Sequence, residues 1–235
     1  MYNRTDIHKA ARLKLENKKL LIFDLDGTLI NSALDLALAV NYMLEKLERE
    51  TFSEDIIHGW VGNGALTLVK RALSGSRTVD DSIDEAYVEK ALKIFLDNYE
   101  KNLCNATVPY ANVIATLKSL KENYTLTIVT NKPFAFVAPI LKGLEMNNFF
   151  ELILGGDSLE KKKPDPLPLQ HVCEQLNIPV ERSVMIGDSK NDILAANACA
   201  MDSIGVTYGY NYGEDIGVHN PSIIVNDFLE LLEYL

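Results

Sequence analysis

Short apolar runs that stop abruptly at a polar residue or a glycine constrain the fold of this chain more than any other feature. Leu20 to Phe23 ends at Asp24, Leu126 to Val129 at Thr130, and Val184 to Ile186 at Gly187 and Asp188. Leu152 to Leu154 before Gly155, Ile204 to Val206 before Thr207, and Ile223 to Val225 have the same form. A short run without polar alternation is a strand covered on both faces, the condition of a parallel sheet. Between several of the runs the spacing turns helical. Val113, Leu117 and Leu120 share a face within Asn112 to Lys121, and Leu169, Cys173 and Leu176 share one within Leu167 to Leu176. Alternating strands and helices predict an α/β fold with a doubly wound parallel sheet. Ligands of such sheets bind beyond the carboxyl ends of the strands, where Asp24, Thr130 and Asp188 fall, so these three are expected to meet.

Between Ser32 and Tyr110 the strand pattern disappears. Ser32 is a candidate N-cap with Asp35 behind it, and Leu36, Val40, Met43, Leu44 and Leu47 then keep one helical face. A second helix runs from Asn63 through Leu66, Val69 and Leu73, and a third carries Val88, Ala91, Leu92, Phe95 and Tyr99. The expected organisation is an N-terminal extension at 1–18, an α/β core made of 19–31 and 106–235, and an inserted all-helical cap at 32–105. Asn31 with Ser32 leads out of the core, and Pro109 with the polar stretch around Asn105 leads back. Residues 1–18 read as a surface helix of mixed charge, and Asp6 and Glu16 argue against a transit peptide.

Composition narrows the partners. With 33 acids against 23 bases the chain carries a net charge of −10, which opposes the counterion release that drives nucleic-acid binding. No apolar run approaches the ~18 residues of a membrane span, so no membrane partner is expected. Cys104, Cys173 and Cys199 are odd in number and lack metal-ligand spacing, which predicts reduced thiols and a cytoplasmic protein.

The residues that carry chemistry cluster at strand ends. Asp24 and Asp26 stand in Phe23-Asp24-Leu25-Asp26-Gly27-Thr28, and strand alternation points both carboxylates to one side. Two neighbouring buried charges need a cation or a proton to relieve them, although an Asp-Gly turn is the plain structural alternative. Asp188 and Asp192 follow another strand in Gly187-Asp188-Ser189-Lys190-Asn191-Asp192, where capping by Asp188 or Ser189 is the alternative. Gathered with Asp24, these oxygens suit a hard cation, and Mg²⁺ is the expected metal. Lys163 precedes Pro164 in a polar loop and reads either as an anion-binding group or as a solvated lysine like Lys161 and Lys162.

Taken together, these motifs resemble the haloacid-dehalogenase superfamily of phosphotransferases, whose four motifs occur here in order over nearly the whole chain beyond residue 18. The resemblance implies a Rossmann-like core and assigns Asp24 as nucleophile and Asp26 as general acid and base. It makes Thr130, Asn131, Lys163 and the amides of Leu25 and Gly27 the phosphate-binding groups. The metal ligands it implies are Asp24, Asp188 and the backbone carbonyl of Asp26, with Asp192 and Ser189 in support. Asp26 argues against a dehalogenase, whose halide leaving group needs no proton.

Further segments resemble one family within it, the bacterial phosphoglycolate phosphatases: Trp60-Val61-Gly62-Asn63-Gly64-Ala65, Thr130-Asn131-Lys132-Pro133, Gly155-Gly156-Asp157, and Thr207-Tyr208-Gly209-Tyr210-Asn211-Tyr212-Gly213-Glu214. Two turns depart from the pattern, Ala111-Asn112 in place of a Pro-Gly type and Ala200-Met201 in place of a glycine. The implied reaction is hydrolysis of a small phosphate monoester, 2-phosphoglycolate, by a monomer or homodimer. A sugar phosphomutase or another small-metabolite phosphatase of the superfamily is the alternative enzyme, and a phospho-accepting signalling module is disfavoured by the inserted cap. In the cap, Gly62, Asn63, Gly64 and Arg71 are expected to face the substrate, with Arg71 reading its carboxylate unless it is solvated on the outer face.

Overall fold

The computed structural model describes residues 14–235. Its centre is a six-stranded parallel sheet in the order β5-β4-β1-β6-β7-β8, with β1 at Leu20–Phe23, β4 at Thr125–Val129, β5 at Leu152–Leu154, β6 at Ser183–Gly187, β7 at Asp202–Val206 and β8 at Ile223–Val225. Every apolar run expected to form a strand does so. The four residues of β1 are wholly buried, and their alternation divides the core. Leu21 and Phe23 face α5 (Val113–Leu120) and α6 (Phe134–Gly143) in the larger apolar cluster. Leu20 and Ile22 face α7 (Leu167–Leu176) and α8 (Lys190–Ala198) in the smaller one. A strand buried on both faces has no room for polar alternation, which is why its sequence is continuously apolar.

Between β1 and α5 the chain leaves the sheet through β2 (Ile30–Asn31) and returns through β3 (Val108–Pro109). The two pair antiparallel, Ile30 opposite Pro109 and Asn31 opposite Val108, so exit and return form one short ribbon. Four helices lie between them: α1 (Ala33–Lys46), α2 (Glu54–His58), α3 (Ala65–Ser74) and α4 (Glu85–Glu100). Helix α1 packs on α2 and α4, and α3 packs on α4, around Val40, Met43, Leu44, Val69, Phe95 and Tyr99.

The entry to α1 differs from the expected cap. The Ser32 hydroxyl makes no capping bond and instead donates to Asp26 Oδ1 at 2.5 Å. Asp35 turns the other way: its carboxylate accepts from the amides of Ala106 and Thr107, and from Thr107 Oγ1 at 2.6 Å. Helix α1 is thereby tied to the returning chain.

The surface-helix reading of the N-terminal extension lies largely outside the described residues. Within them, Leu15 is buried and its amide donates to the Tyr234 carbonyl at 2.8 Å, while Lys18 pairs with Asp202. Both departures from the family's turn pattern fall on left-handed backbone, with φ of +63° at Asn112 and +56° at Ala200. Among the described residues no helix is long and apolar enough to cross a membrane.

Candidate active site

Three parallel strands deliver the reactive groups to one rim of the sheet. Asp24 follows β1, and its amide continues the ladder by donating to Ile186 at 2.9 Å. Thr130 and Asn131 follow β4, and Asp188 follows β6. The carboxylates of Asp24, Asp188 and Asp192 each offer an oxygen, and these atoms lie within 4.8 Å of one another. Lys163 reaches them from the loop before α7. Its ammonium lies 3.0 Å from Asp24 Oδ1 and 2.6 Å from Asp192 Oδ1, and the side chain is only 1% exposed.

Neighbouring bonds fix each acid. Asp188 accepts from Thr28 Oγ1 at 2.7 Å and from the Tyr210 amide at 2.7 Å. Asp192 Oδ2 accepts from the Ser189 amide and hydroxyl at 3.0 and 2.8 Å. Gly27 has a φ of +91°, and a Cβ there would strike the Asp188 carboxylate, so only glycine permits this approach.

The charges do not balance within the protein. Burial, reinforced by Asp192, pushes Asp24 up to about 7 despite the lowering effect of Lys163 and the Leu25 amide. Burial and the two other acids likewise raise Asp188 well above the carboxylate range. Burial pulls Lys163 down, but Asp192 and Asp24 outweigh it and hold it charged. One ammonium therefore faces three carboxylates, and further positive charge is needed to ionise all of them. An all-oxygen donor set around that deficit fits a hard divalent cation such as Mg²⁺.

Asp26 occupies a different environment. Its carboxylate is not in the three-acid cluster; Lys132 Nζ lies 2.9 and 3.1 Å from its two oxygens. The same ammonium donates to the Tyr99 hydroxyl of α4 at 2.7 Å. A pocket with an empty volume of about 490 Å³ opens between sheet rim and helices, lined by Asp24, Asp26, Thr130 and Lys132 below and by Tyr99 and Leu68 above.

Several expected site residues take other roles. The Gly27 amide donates to the Ile30 carbonyl at 2.9 Å, which leaves Gly27 a spatial function, whereas the Leu25 amide does face the Asp24 carboxylate. Asn131 lines the pocket, but its Nδ2 bridges the carbonyls of Lys163 and Gly62 at 2.9 and 3.2 Å. Gly62 and Gly64 also line the pocket. Asn63 does not, since its Oδ1 accepts from the Tyr212 hydroxyl at 2.6 Å. Arg71 is the clearest correction. It lies outside the pocket, donates to the carbonyls of Trp60 and Arg77 at 2.6 and 3.0 Å, and stands 5.4 Å from the centre of the Tyr212 ring.

The groups that sequence reasoning passed over are Lys132 and Tyr99. Lys132 is visible only as the third residue of Thr130-Asn131-Lys132-Pro133, and Tyr99 reads as one more apolar position of a helical stripe. Both become functional candidates only through the pairing of α4 with the strand-end loop.

An aspartate-tipped central strand, a buried lysine and an acid cluster under an inserted helical module form the site of an α/β enzyme. The model of the haloacid dehalogenase-like hydrolase family matches residues 21–206, and the chain belongs to that family. A phosphoglycolate phosphatase of Colwellia psychrerythraea strain 34H is 54% identical over 221 residues, covering 94% of this chain and 98% of its own length. Another from Psychrobacter arcticus is 49% identical, covering 93% and 96%. The solved structure of a predicted phosphoglycolate phosphatase from Haemophilus somnus 129pt superposes with a TM-score of 0.86 at 38% identity, over 92% of this chain and 97% of that one.

Proposed function

We propose that this chain hydrolyses a small phosphate monoester, 2-phosphoglycolate, to glycolate and inorganic phosphate through an aspartyl-phosphate on Asp24, with Mg²⁺ as cofactor. One observation carries the reading: Asp24 stands at the tip of β1 against Lys163, and Asp26 lines the same pocket. The relatives named phosphoglycolate phosphatase support the choice of substrate.

Asp24, Asp188 and the backbone carbonyl of Asp26 would hold the cation, which when bound neutralises charge on the phosphoryl oxygens. Lys163 adds a fixed positive charge on the same side, and the Thr130 hydroxyl offers a further donor to the phosphoryl group. An Asp24 oxygen attacks phosphorus, the bond from phosphorus to the ester oxygen breaks, and Asp26 delivers a proton to the departing alkoxide. Asp26 then takes a proton from a water whose oxygen attacks phosphorus. The bond to Asp24 breaks and phosphate leaves. Asp192, paired with Lys163 and held by Ser189, keeps the lysine in place.

The test is phosphate release from a panel of 2-phosphoglycolate, 3-phosphoglycerate, ethyl phosphate and glucose 1- and 6-phosphates, with Mg²⁺ and with a chelator. The highest kcat/KM is expected on 2-phosphoglycolate, with none in chelator. Interconversion of the glucose phosphates, or no release from any ester, overturns the reading.

A further inference from the structure

The geometry points to Lys132 and Tyr99 as a two-part receptor for a carboxylate on the leaving group, the pair that sets specificity for 2-phosphoglycolate over uncharged esters. This deepens the proposed function and rests on its assignment of Asp24 and Asp26.

The argument starts from placement. With phosphorus held at Asp24 and Lys163, proton transfer requires the ester oxygen to lie within about 3 Å of Asp26. In 2-phosphoglycolate the carboxylate is bonded to the carbon that carries this oxygen, so it must fall in the immediate surroundings of Asp26. The cation in those surroundings is Lys132, 2.9 Å from Asp26 Oδ1. The partners of the other cations near the site are groups other than Asp26. Lys163 lies against Asp24 and Asp192, Lys162 donates to the Asn63 carbonyl at 2.7 Å, and Arg71 donates to two backbone carbonyls.

The surroundings strengthen the assignment. Lys132 is 5% exposed, and Leu36, Val61, Leu68, Phe95 and Phe136 make up much of the remaining wall. In such an apolar enclosure an ammonium attracts a carboxylate far more strongly than in water. Lys132 Nζ is held between the Asp26 carboxylate and the Tyr99 hydroxyl, at 2.9 and 2.7 Å, which fixes it at the pocket wall. Burial lifts the Tyr99 phenol to about 12, so it retains its proton. Among the described residues that hydroxyl accepts from Lys132 and donates to none, which leaves its proton free for an anion beside the ammonium. An uncharged leaving group offers these donors nothing.

The experiment measures kcat and KM for 2-phosphoglycolate and ethyl phosphate, with Mg²⁺, in the wild type, Lys132→Met, Lys132→Arg and Tyr99→Phe, with folding checked by circular dichroism. The ratio of kcat/KM values, 2-phosphoglycolate over ethyl phosphate, is expected to fall at least tenfold in Lys132→Met, mainly through KM, and to recover in part in Lys132→Arg. Tyr99→Phe, which removes one oxygen, should lower the ratio severalfold and keeps the test decisive if Lys132→Met does not fold. An unchanged ratio in Lys132→Met or Tyr99→Phe, with both substrates losing equally, overturns the receptor and leaves the proposed reaction standing. A wild type indifferent to the carboxylate overturns the substrate reading and the receptor together.

Discussion

In the proposed reaction Asp24 combines two demands that conflict, since a nucleophile must be ionised and a buried carboxylate among two others resists ionisation. Asp24→Asn should lower kcat by at least about 10³-fold with the fold retained, because the attacking oxygen is lost and the shape is kept. Steady-state phosphate release checks this. The same conflict has a thermodynamic signature in chelator. Asp24 titrates at about 7 in the folded chain, against about 3.9 expected when unfolded. Between those values the folded state holds a proton that the unfolded state has lost, so the contribution of Asp24 to stability is full below pH 4 and disappears as pH rises through 7. Melting curves should therefore place Asp24→Asn above the wild type at pH 7.5, with the gap closing towards pH 5; a gap independent of pH would contradict the shift. A separate strain sits at Ala200, exposed and at a φ of +56°. Ala200→Gly should stabilise by about 1 kcal/mol, or roughly 2–4 °C in Tm, because glycine adopts this backbone without a Cβ penalty.

At the scale of elements, the β2–β3 ribbon and the Asp35 clamp fix where the helical module joins the sheet. Asp35 is 1% exposed and receives two backbone amides and a hydroxyl. Asp35→Ala leaves these donors unmet and should destabilise by about 2–4 kcal/mol, measured by chemical unfolding. The clamp also shows what a linear reading misses. The strands were legible because burial on both faces writes itself as an unbroken apolar run, and the acids were legible because they follow those runs. Helix α6 was not read as a helix: it holds an internal Pro139, and Ala135, Ala138 and Pro139 lie opposite the buried Phe136, Val137, Ile140 and Leu141, so no polar face marks the period. Ser32 looked like a cap and Asp35 like its companion because local spacing is visible in sequence. Their actual partners, Asp26 and the residues at 106 and 107, are chosen by the tertiary fold. Arg71 outside the pocket and Lys132 on its wall have the same cause, since the turn of α3 and the course of the loop after β4 are set by the tertiary fold.

Across the whole molecule, the module and the core meet on both sides of the pocket. Gly62 O accepts from Asn131 and Asn191, at 3.2 and 3.1 Å, and Lys162 and Tyr212 reach Asn63. Asn191→Ala removes two contacts across this seam, its donation to the Gly62 carbonyl and its acceptance from the Asn63 amide, and one within the core to the Tyr212 hydroxyl. It should raise KM severalfold while kcat holds or rises, a split that steady-state kinetics resolves. The reason lies in the composition of the seam. The contacts at Gly62 and Asn63 are hydrogen bonds that water can replace one for one, each contributing only about 0.5–1.5 kcal/mol net, while the rings of Tyr99 on Phe136 and of His58 on Tyr210 hold the rest of the seam. In the proposed reaction such a boundary would act as a valve with a light spring: shut, it would keep bulk solvent from the acyl phosphate, and it would open at the expense of these exchangeable bonds when product leaves.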